Sequence, residues 1–273
     1  MSARREQLRG TLGVVTGASS GIGAAYARHF AEAGANVVLA ARRADRLEAL
    51  AAELVEKFGV QAHVVPVDLQ SPEGAAKLFD AATAIGPVQV LVNNAGLGAW
   101  GPFLDQPLER HRLTVDVNVT ALMDLSHRFG NHMRAHGKPS WISNVSSLAS
   151  FQSSPGYAVY SASKYFVRIF SETLAHELRD SSVTVSCLCP GGTWTEFMEQ
   201  VGTEITEKGQ KVMMSAEEVA GAAIDGMLRG KVVIVPGTMN RIAATLPRFV
   251  PRDLALTVAA RTVNRSMRTV EGG

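Results

Sequence analysis

Short β-branched runs recur along this chain, and each interval between them is filled by a longer, Ala-rich stretch. A sequence that alternates in this way folds as successive strand–helix–strand units, with the strands parallel in one sheet and helices on both faces. The runs are Thr11–Thr16, Asn36–Ala41, Ala62–Val67, Val88–Val92, Ser140–Val145, Val183–Leu188 and Val232–Val235. Helices are expected over Gly21–Ala33, Arg46–Phe58, Pro72–Ile85, Pro107–His136, Ala158–Arg179 and Ala216–Leu228. Ser71-Pro72-Glu73 carries the signature of a helix start, and Ser215-Ala-Glu-Glu218 that of a capping box.

Seven strands fit a single doubly wound sheet, so residues 1–240 are read as one domain, with a helical loop or lid over about 195–214. Residues 241–273 form a basic extension. It holds six Arg against Asp253 and Glu271, a net of +4 in a chain whose total is +2. Its apolar stretch Leu254–Ala260 reads as a short helix with cationic edges, suited to covering a pocket, a partner subunit or an anionic membrane surface. The even overall balance argues against a protein that covers nucleic acid with most of its surface. Cys187 and Cys189, the only cysteines, provide neither a disulfide framework nor the four ligands of a structural metal site. No signal peptide or membrane span can be read, so a cytoplasmic protein is expected.

The first strand runs directly into Thr16-Gly17-Ala18-Ser19-Ser20-Gly21-Ile22-Gly23, and a helix follows at once. Glycines at such a turn let the backbone approach a pyrophosphate, whose charge sits on the exposed amides and positive dipole of the helix N-terminus. The reading is therefore an α/β, Rossmann-type, doubly wound seven-stranded parallel sheet, with a dinucleotide at Gly17, Ser19, Ser20, Gly21, Ile22 and Gly23. The Gly-Lys-Ser/Thr ending of a P-loop is missing, which disfavours a nucleoside triphosphatase. At the end of the second strand, a carboxylate selects NAD and an Arg accommodates the 2′-phosphate of NADP. The chain reads Val38-Leu-Ala-Ala-Arg42-Arg43, with no acid between Asn36 and Ala44. NADP(H) is thus expected over NAD(H), with Arg42 as the main contact and Arg43 beside it.

The helix after Pro155 contains Tyr160-Ser-Ala-Ser-Lys164, which puts Tyr and Lys on one helical face. A phenol with an ordinary pKa of about 10 is a poor base at neutral pH unless nearby positive charge favours the phenolate, and Lys164 can supply that charge. With these residues in view, the chain resembles the short-chain dehydrogenase/reductase family in its short, single-domain form. The resemblance covers about Leu12 to Pro236. It rests on the glycine turn, Asp68 after the third strand, Asn93-Asn-Ala-Gly96, Asn118, Asn144-Val-Ser-Ser147, Tyr160-x-x-x-Lys164 and Pro190-Gly191, in the family's order.

The resemblance implies an NAD(P)-dependent oxidoreductase acting on CH–OH and C=O groups. Tyr160 would be the general acid/base, Ser147 would polarise the same substrate oxygen, and Lys164 would lower the tyrosine pKa and hold the nicotinamide ribose. Ser146 would be a structural neighbour, and Asn118 would support a water chain that returns protons to the site. Asp68 would lie at the adenine edge, and Asn94 at the adenosine ribose, with Ala95 and Gly96 in the same cofactor set. Pro190-Gly191 would lie beside the nicotinamide, and Thr195 matches a position that reaches the amide or pyrophosphate. Thr193 stands where relatives often carry a branched apolar residue, so that contact with the carboxamide would be altered. Homodimers or homotetramers built through the long helices are also implied.

The loops expected around the nicotinamide carry Leu97, Trp100 and Phe103, then Leu148 and Phe151, then Trp194, Phe197 and Met198, with Met213 and Met214 closing the lid. Ser147, Trp100, Phe151, Trp194 and Phe197 are the candidate substrate contacts. No Arg or Lys stands in these stretches, so a bulky apolar ketone, aldehyde or secondary alcohol is expected. Two other classes stay open. A catalytically silent NADP-binding sensor or scaffold would bind NADPH without oxidising it. An epimerase or dehydratase would form product with no net change in cofactor. Ser147, Tyr160 and Lys164 together argue for the oxidoreductase.

Overall fold

A computed structural model describes residues 4–197, 203–206, 210 and 212–269. The first half contains β1 (Leu12–Thr16), α1 (Gly21–Glu32), β2 (Asn36–Ala41), α2 (Ala44–Phe58), β3 (Ala62–Pro66), α3 (Gly74–Ile85) and β4 (Val88–Asn93). It is followed by α4 (Leu108–Val115), α5 (Leu122–His136), β5 (Ser140–Val145), α6 (Ala158–Glu177), β6 (Val183–Leu188) and β7 (Thr203–Ile205). The chain closes with α7 (Ala216–Met227), β8 (Val233–Ile234), α8 (Thr238–Thr245), α9 (Arg252–Ser266) and β9 (Met267–Thr269). Seven strands form one parallel sheet in the order β3-β2-β1-β4-β5-β6-β8. The chain winds outward from β1 to β3, then crosses back to β4, leaving a crevice where the direction reverses.

Parallel strands covered on both faces must be apolar on both, which is why these runs do not alternate with polar residues. All five residues of β1 are buried. Val15, Val37, Leu39 and Val90 face Tyr26, Phe30, Leu47, Leu54 and Ile224 from α1, α2 and α7. Val14, Val38, Leu91 and Ile142 face Leu78, Leu125, Phe129 and Met133 from α3 and α5. Each such side chain, fully removed from water, contributes about 1.5–3 kcal/mol. The sheet register also carries polar pairs: Asn93 lies opposite Asn144 and its Nδ2 donates to Asn144 Oδ1 at 2.9 Å and to Ser126 at 3.0 Å.

Three local expectations change. Ser71 does not cap α3: its hydroxyl accepts the Glu73 N–H two residues on and donates to the Glu73 carboxylate, so a turn precedes a helix that begins at Gly74. The stretch from Pro107 to His136 is helical, but a π-helical segment at Asp116–Ala121 separates α4 from α5. The lid contributes a strand rather than only helix, because β7 pairs antiparallel with β9 at the end of the basic extension. The Ser215–Glu218 capping box forms as read. Among the described residues, no helix is long and apolar enough to cross a membrane.

Two histidines of α5 fasten the start of β4. His132 Nε2 accepts the Val88 N–H at 3.1 Å, so that nitrogen carries no proton. His136 Nε2 lies 3.0 Å from the Val88 carbonyl, which can only accept. Burial, with His136 nearby, lowers the His132 pKa below its ordinary 6.5. A group depressed in the folded state stabilises the fold above its unfolded pKa and loses that contribution as pH falls through the folded value. Denaturant midpoints should therefore hold above pH 6.5 and fall as the pH drops below it. His132→Gln, whose carbonyl accepts the same N–H without titrating, should flatten that part of the curve.

Candidate active site

At the crevice, the glycine turn and the end of β4 are tied together by a few short bonds. Thr16 Oγ1 donates to Val92 O at 3.1 Å and accepts the N–H groups of Asn94 and Ala95 at 2.9 and 3.0 Å. Asn94 Nδ2 donates to the carbonyls of Thr16 and Gly17 at 2.9 and 3.3 Å. That approach leaves no room for larger residues: a Cβ on Gly23 would lie 2.3 Å from Gly17 O, and one on Gly17 would lie 2.8 Å from Asn94 Nδ2. Gly17 also has φ +65, which side-chain-bearing residues rarely adopt. Gly23 is therefore a packing residue off the cavity wall, whereas Gly17, Ser19, Ser20, Gly21 and Ile22 line the cavity itself.

This cavity has a volume of about 730 Å³. Arg42, Arg43, Asp68 and Gln70 line one end, beyond the C-terminal ends of β2 and β3. Asn94, Ala95, Gly96, Pro190, Gly191, Thr193 and Thr195 line its length. Ser20, the residue before α1, makes no side-chain bond to the helix N–H groups. Those amides, two serine hydroxyls and the arginines make a donor set suited to the phosphates of a dinucleotide. Asn118 stands behind the wall, in the π-helical segment. Its Oδ1 accepts Leu97 N–H at 2.8 Å and its Nδ2 donates to Leu97 O and Ser163 Oγ at 2.9 and 3.0 Å.

The opposite end gathers Ser147, Tyr160 and Lys164 on one wall. α6 supplies Tyr and Lys from successive turns, and Ser147 follows β5. Burial pushes the Tyr160 hydroxyl up to about 12, opposed by its hydrogen bond with Ser147. Burial pushes the Lys164 ammonium down to about 8. The expected lowering of the phenol by Lys164 does not dominate here. Lys164 Nζ donates to Val145 O at 2.9 Å and lies 5.7 Å from the centre of the Tyr160 ring. Ser146 is the buried neighbour: its hydroxyl donates to Lys164 O at 2.7 Å and holds α6 against β5.

The aromatic set divides. Phe197 lines the cavity, with its ring 5.5 Å from that of Tyr160. Trp100, Phe151 and Trp194 do not line it. Trp100 packs over Gly156 and against Tyr157 at 4.8 Å. Phe151 joins a cluster with Leu122, Val167, Cys187 and Cys189 and stacks under the Arg168 guanidinium. Trp194 is half exposed, its backbone N–H donating to Met214 O. Met198 lies outside the described residues. In place of the three aromatics, Leu97, Leu148, Ala149 and Tyr157 line the wall, with the polar Gln152 and Ser154 among them. Another contributor unmarked in the sequence is Asn240 of α8, anchored to Pro236 O at 2.8 Å. It backs the Pro190-Gly191 turn so closely that a Cβ on Gly191 would lie 2.5 Å from Asn240 Oδ1.

A parallel sheet in this order, with a glycine turn at its crevice and Ser, Tyr and Lys on the wall, defines a dinucleotide-dependent oxidoreductase fold. The sequence profile of the short chain dehydrogenases matches residues 12–206, and the chain belongs to that family. It is 39% identical over 211 residues to a 1-deoxy-11-beta-hydroxypentalenate dehydrogenase of Streptomyces exfoliatus, covering 76% of each chain. Among solved structures it resembles a 7beta-hydroxysteroid dehydrogenase with a TM-score of 0.84 and 27% identity, covering 95% of this chain and 99% of the other. A short-chain dehydrogenase from Sphingobium yanoikuyae in complex with NADPH is similar with a TM-score of 0.79 and 30% identity, covering 96% and 98%.

Gly23→Ala tests the closeness of the turn. The added methyl should cost about 1–3 kcal/mol of stability through overpacking, read as a lower denaturant midpoint, and should weaken dinucleotide binding in a fluorescence titration.

Proposed function

We propose that this protein is an NADP(H)-preferring reductase of bulky apolar ketones or aldehydes, with oxidation of the secondary alcohol as the reverse reaction. The observation that carries this reading is the convergence of Ser147, Tyr160 and Lys164 on one wall of a cavity whose other end holds the glycine turn and Arg42. A phenol pushed up to about 12 is protonated at neutral pH, as a proton donor to a carbonyl oxygen must be. Ser147, already hydrogen-bonded to Tyr160, donates to the same oxygen, so the developing negative charge meets two placed donors. Lys164, fixed on Val145 O, presents its ammonium beside Gly96, 3.4 Å from where a Cβ there would lie. Asn118 and Ser163 extend hydrogen bonding away from this wall and support proton return to Tyr160.

The nicotinamide cofactor, when bound, supplies or accepts the hydride. Gly17, Ser19 to Ile22, Asp68, Asn94 to Gly96, Lys164, Pro190, Gly191, Thr193 and Thr195 would hold it. Arg42 favours the 2′-phosphate form: it is exposed at the cavity end, with no acid between Asn36 and Ala44. Similar solved structures hold NADPH in one case and NAD in another, so the choice rests on Arg42 and not on likeness. Leu97, Leu148, Tyr157 and Phe197 support an apolar substrate, as does the similar structure named for a hydroxysteroid dehydrogenase. NADPH oxidation over a panel of bulky apolar ketones and small charged aldehydes tests this reading. Turnover should be confined largely to the bulky set, and the reverse ranking would contradict it. Arg42→Asp should lower kcat/KM for NADPH by about tenfold or more while NADH use is kept or raised. An unchanged ratio between cofactors would remove Arg42 from the assignment.

The outer faces of α4 and α6, with the turn before α4, leave Phe103, Val115, Val119, Val159 and Phe166 around a shallow apolar hollow. A second copy of this chain is the proposed occupant. Phe166→Glu should shift the sedimentation profile toward monomer.

A further inference from the structure

The segment after β6 returns across the cavity and ends on a carboxylate that grips the adenine-side arginines. Arg43 Nη1 donates to Glu196 Oε2 at 2.8 Å, and Arg46 Nη1 donates to Glu196 Oε1. Arg43 Nη2 donates to Ser19 Oγ and Ser20 Oγ at 2.9 and 3.0 Å. One guanidinium therefore joins the start of α2, the glycine turn and the segment after β6. Both arginine bonds hold the Glu196 carboxyl below its usual range, so it is ionised at neutral pH. Arg42 alone of these three arginines has no ion-pair or hydrogen-bond partner among the described residues.

Carboxylates and phosphates seek the same N–H groups of a guanidinium. We propose that Glu196 is an internal competitor for the 2′-phosphate of NADP(H), occupying Arg43 and Arg46 until a phosphate monoester displaces it. This rests on the reading that the Arg42 end receives that phosphate. Cofactor selection is then set by an exchange of anions, and not by the number of arginines. A dinucleotide with a free 2′-hydroxyl leaves Glu196 in place and gains nothing from its removal. The phosphorylated form must break two ion pairs, one exposed and one part-buried, to reach the same groups. Glu196 thus narrows the preference that Arg42 and Arg43 would otherwise give.

The test is fluorescence titration of NADPH and NADH into the parent, Glu196→Gln, the Arg43→Ala/Arg46→Ala pair, and that pair combined with Glu196→Gln. Two ion pairs at or near the surface correspond to about three- to tenfold in affinity. Glu196→Gln should tighten NADPH by that factor, leave NADH within about twofold, and have no effect once both arginines are gone. Weaker NADPH binding would show that the carboxylate organises the arginines for phosphate and would overturn the proposal, as would equal changes for both cofactors. If the parent shows no preference for NADPH but Glu196→Gln gains it selectively, the NADP reading fails and the competition stands. The opposite pattern, a preference in the parent with no selective gain, leaves the NADP reading and removes Glu196. Should the Gln variant fold poorly by thermal melting, Glu196→Ala carries the same comparison.

Discussion

The closeness of β1 and β4 at their C-terminal ends is the constraint on which the site depends. One hydroxyl enforces it: Thr16 Oγ1 donates to β4 through Val92 and accepts the first two N–H groups beyond that strand. Asn94 returns the contact with its amide, and Gly17 and Gly23 remove the side chains that would hold the backbones apart. Because the topology reverses here, no crossover helix covers the gap, and the helix N-terminus of α1 opens into it. The same geometry that packs the sheet therefore leaves a cavity with the glycine turn on its wall.

The wall that carries Ser147, Tyr160 and Lys164 is held by a second set of buried polar bonds. Asn93 and Asn144 pair across β4 and β5, and Asn144 Nδ2 passes the chain on to Ser171 of α6 at 3.0 Å. Ser146 binds Lys164 O, and Lys164 Nζ binds Val145 O, so α6 is fastened to β5 at both the backbone and the side chain of one residue. Buried polar groups are costly unless paired, and paired they specify a single arrangement. Here the arrangement they specify sets Tyr160 beside Ser147. Burial, opposed by the hydrogen bond with Ser147, governs the phenol.

The strands and most helices were legible because both-face burial writes itself into the sequence as unbroken β-branched runs. The glycine turn, Ser147, Tyr160 and Lys164 were legible because backbone geometry and helical spacing fix where they go. The rest of the cavity wall was not. An aromatic residue in a loop can turn into the cavity or pack against a neighbouring element, and Trp100 and Phe151 do the latter, one over Gly156 and the other under Arg168. Gln152, Ser154 and Tyr157 reach the cavity from a loop with no periodic pattern. Glu196 and Asn240 act on residues far away in the chain, Arg43 and Gly191, and no local signal announces such pairings. The pairing of β7 with β9 escaped for the same reason, since three-residue strands carry too few residues to show a period.

In the proposed reduction, the Tyr160 hydroxyl supplies the proton at a site that binds its cofactor independently of that hydroxyl. NADPH affinity and steady-state turnover, compared between the parent and Tyr160→Phe, separate these two roles. NADPH should bind within about twofold of the parent while turnover falls by about a hundredfold or more, as for removal of a general acid. A Tyr160→Phe protein that keeps more than a few per cent of the parent's rate would remove Tyr160 from the proton transfer.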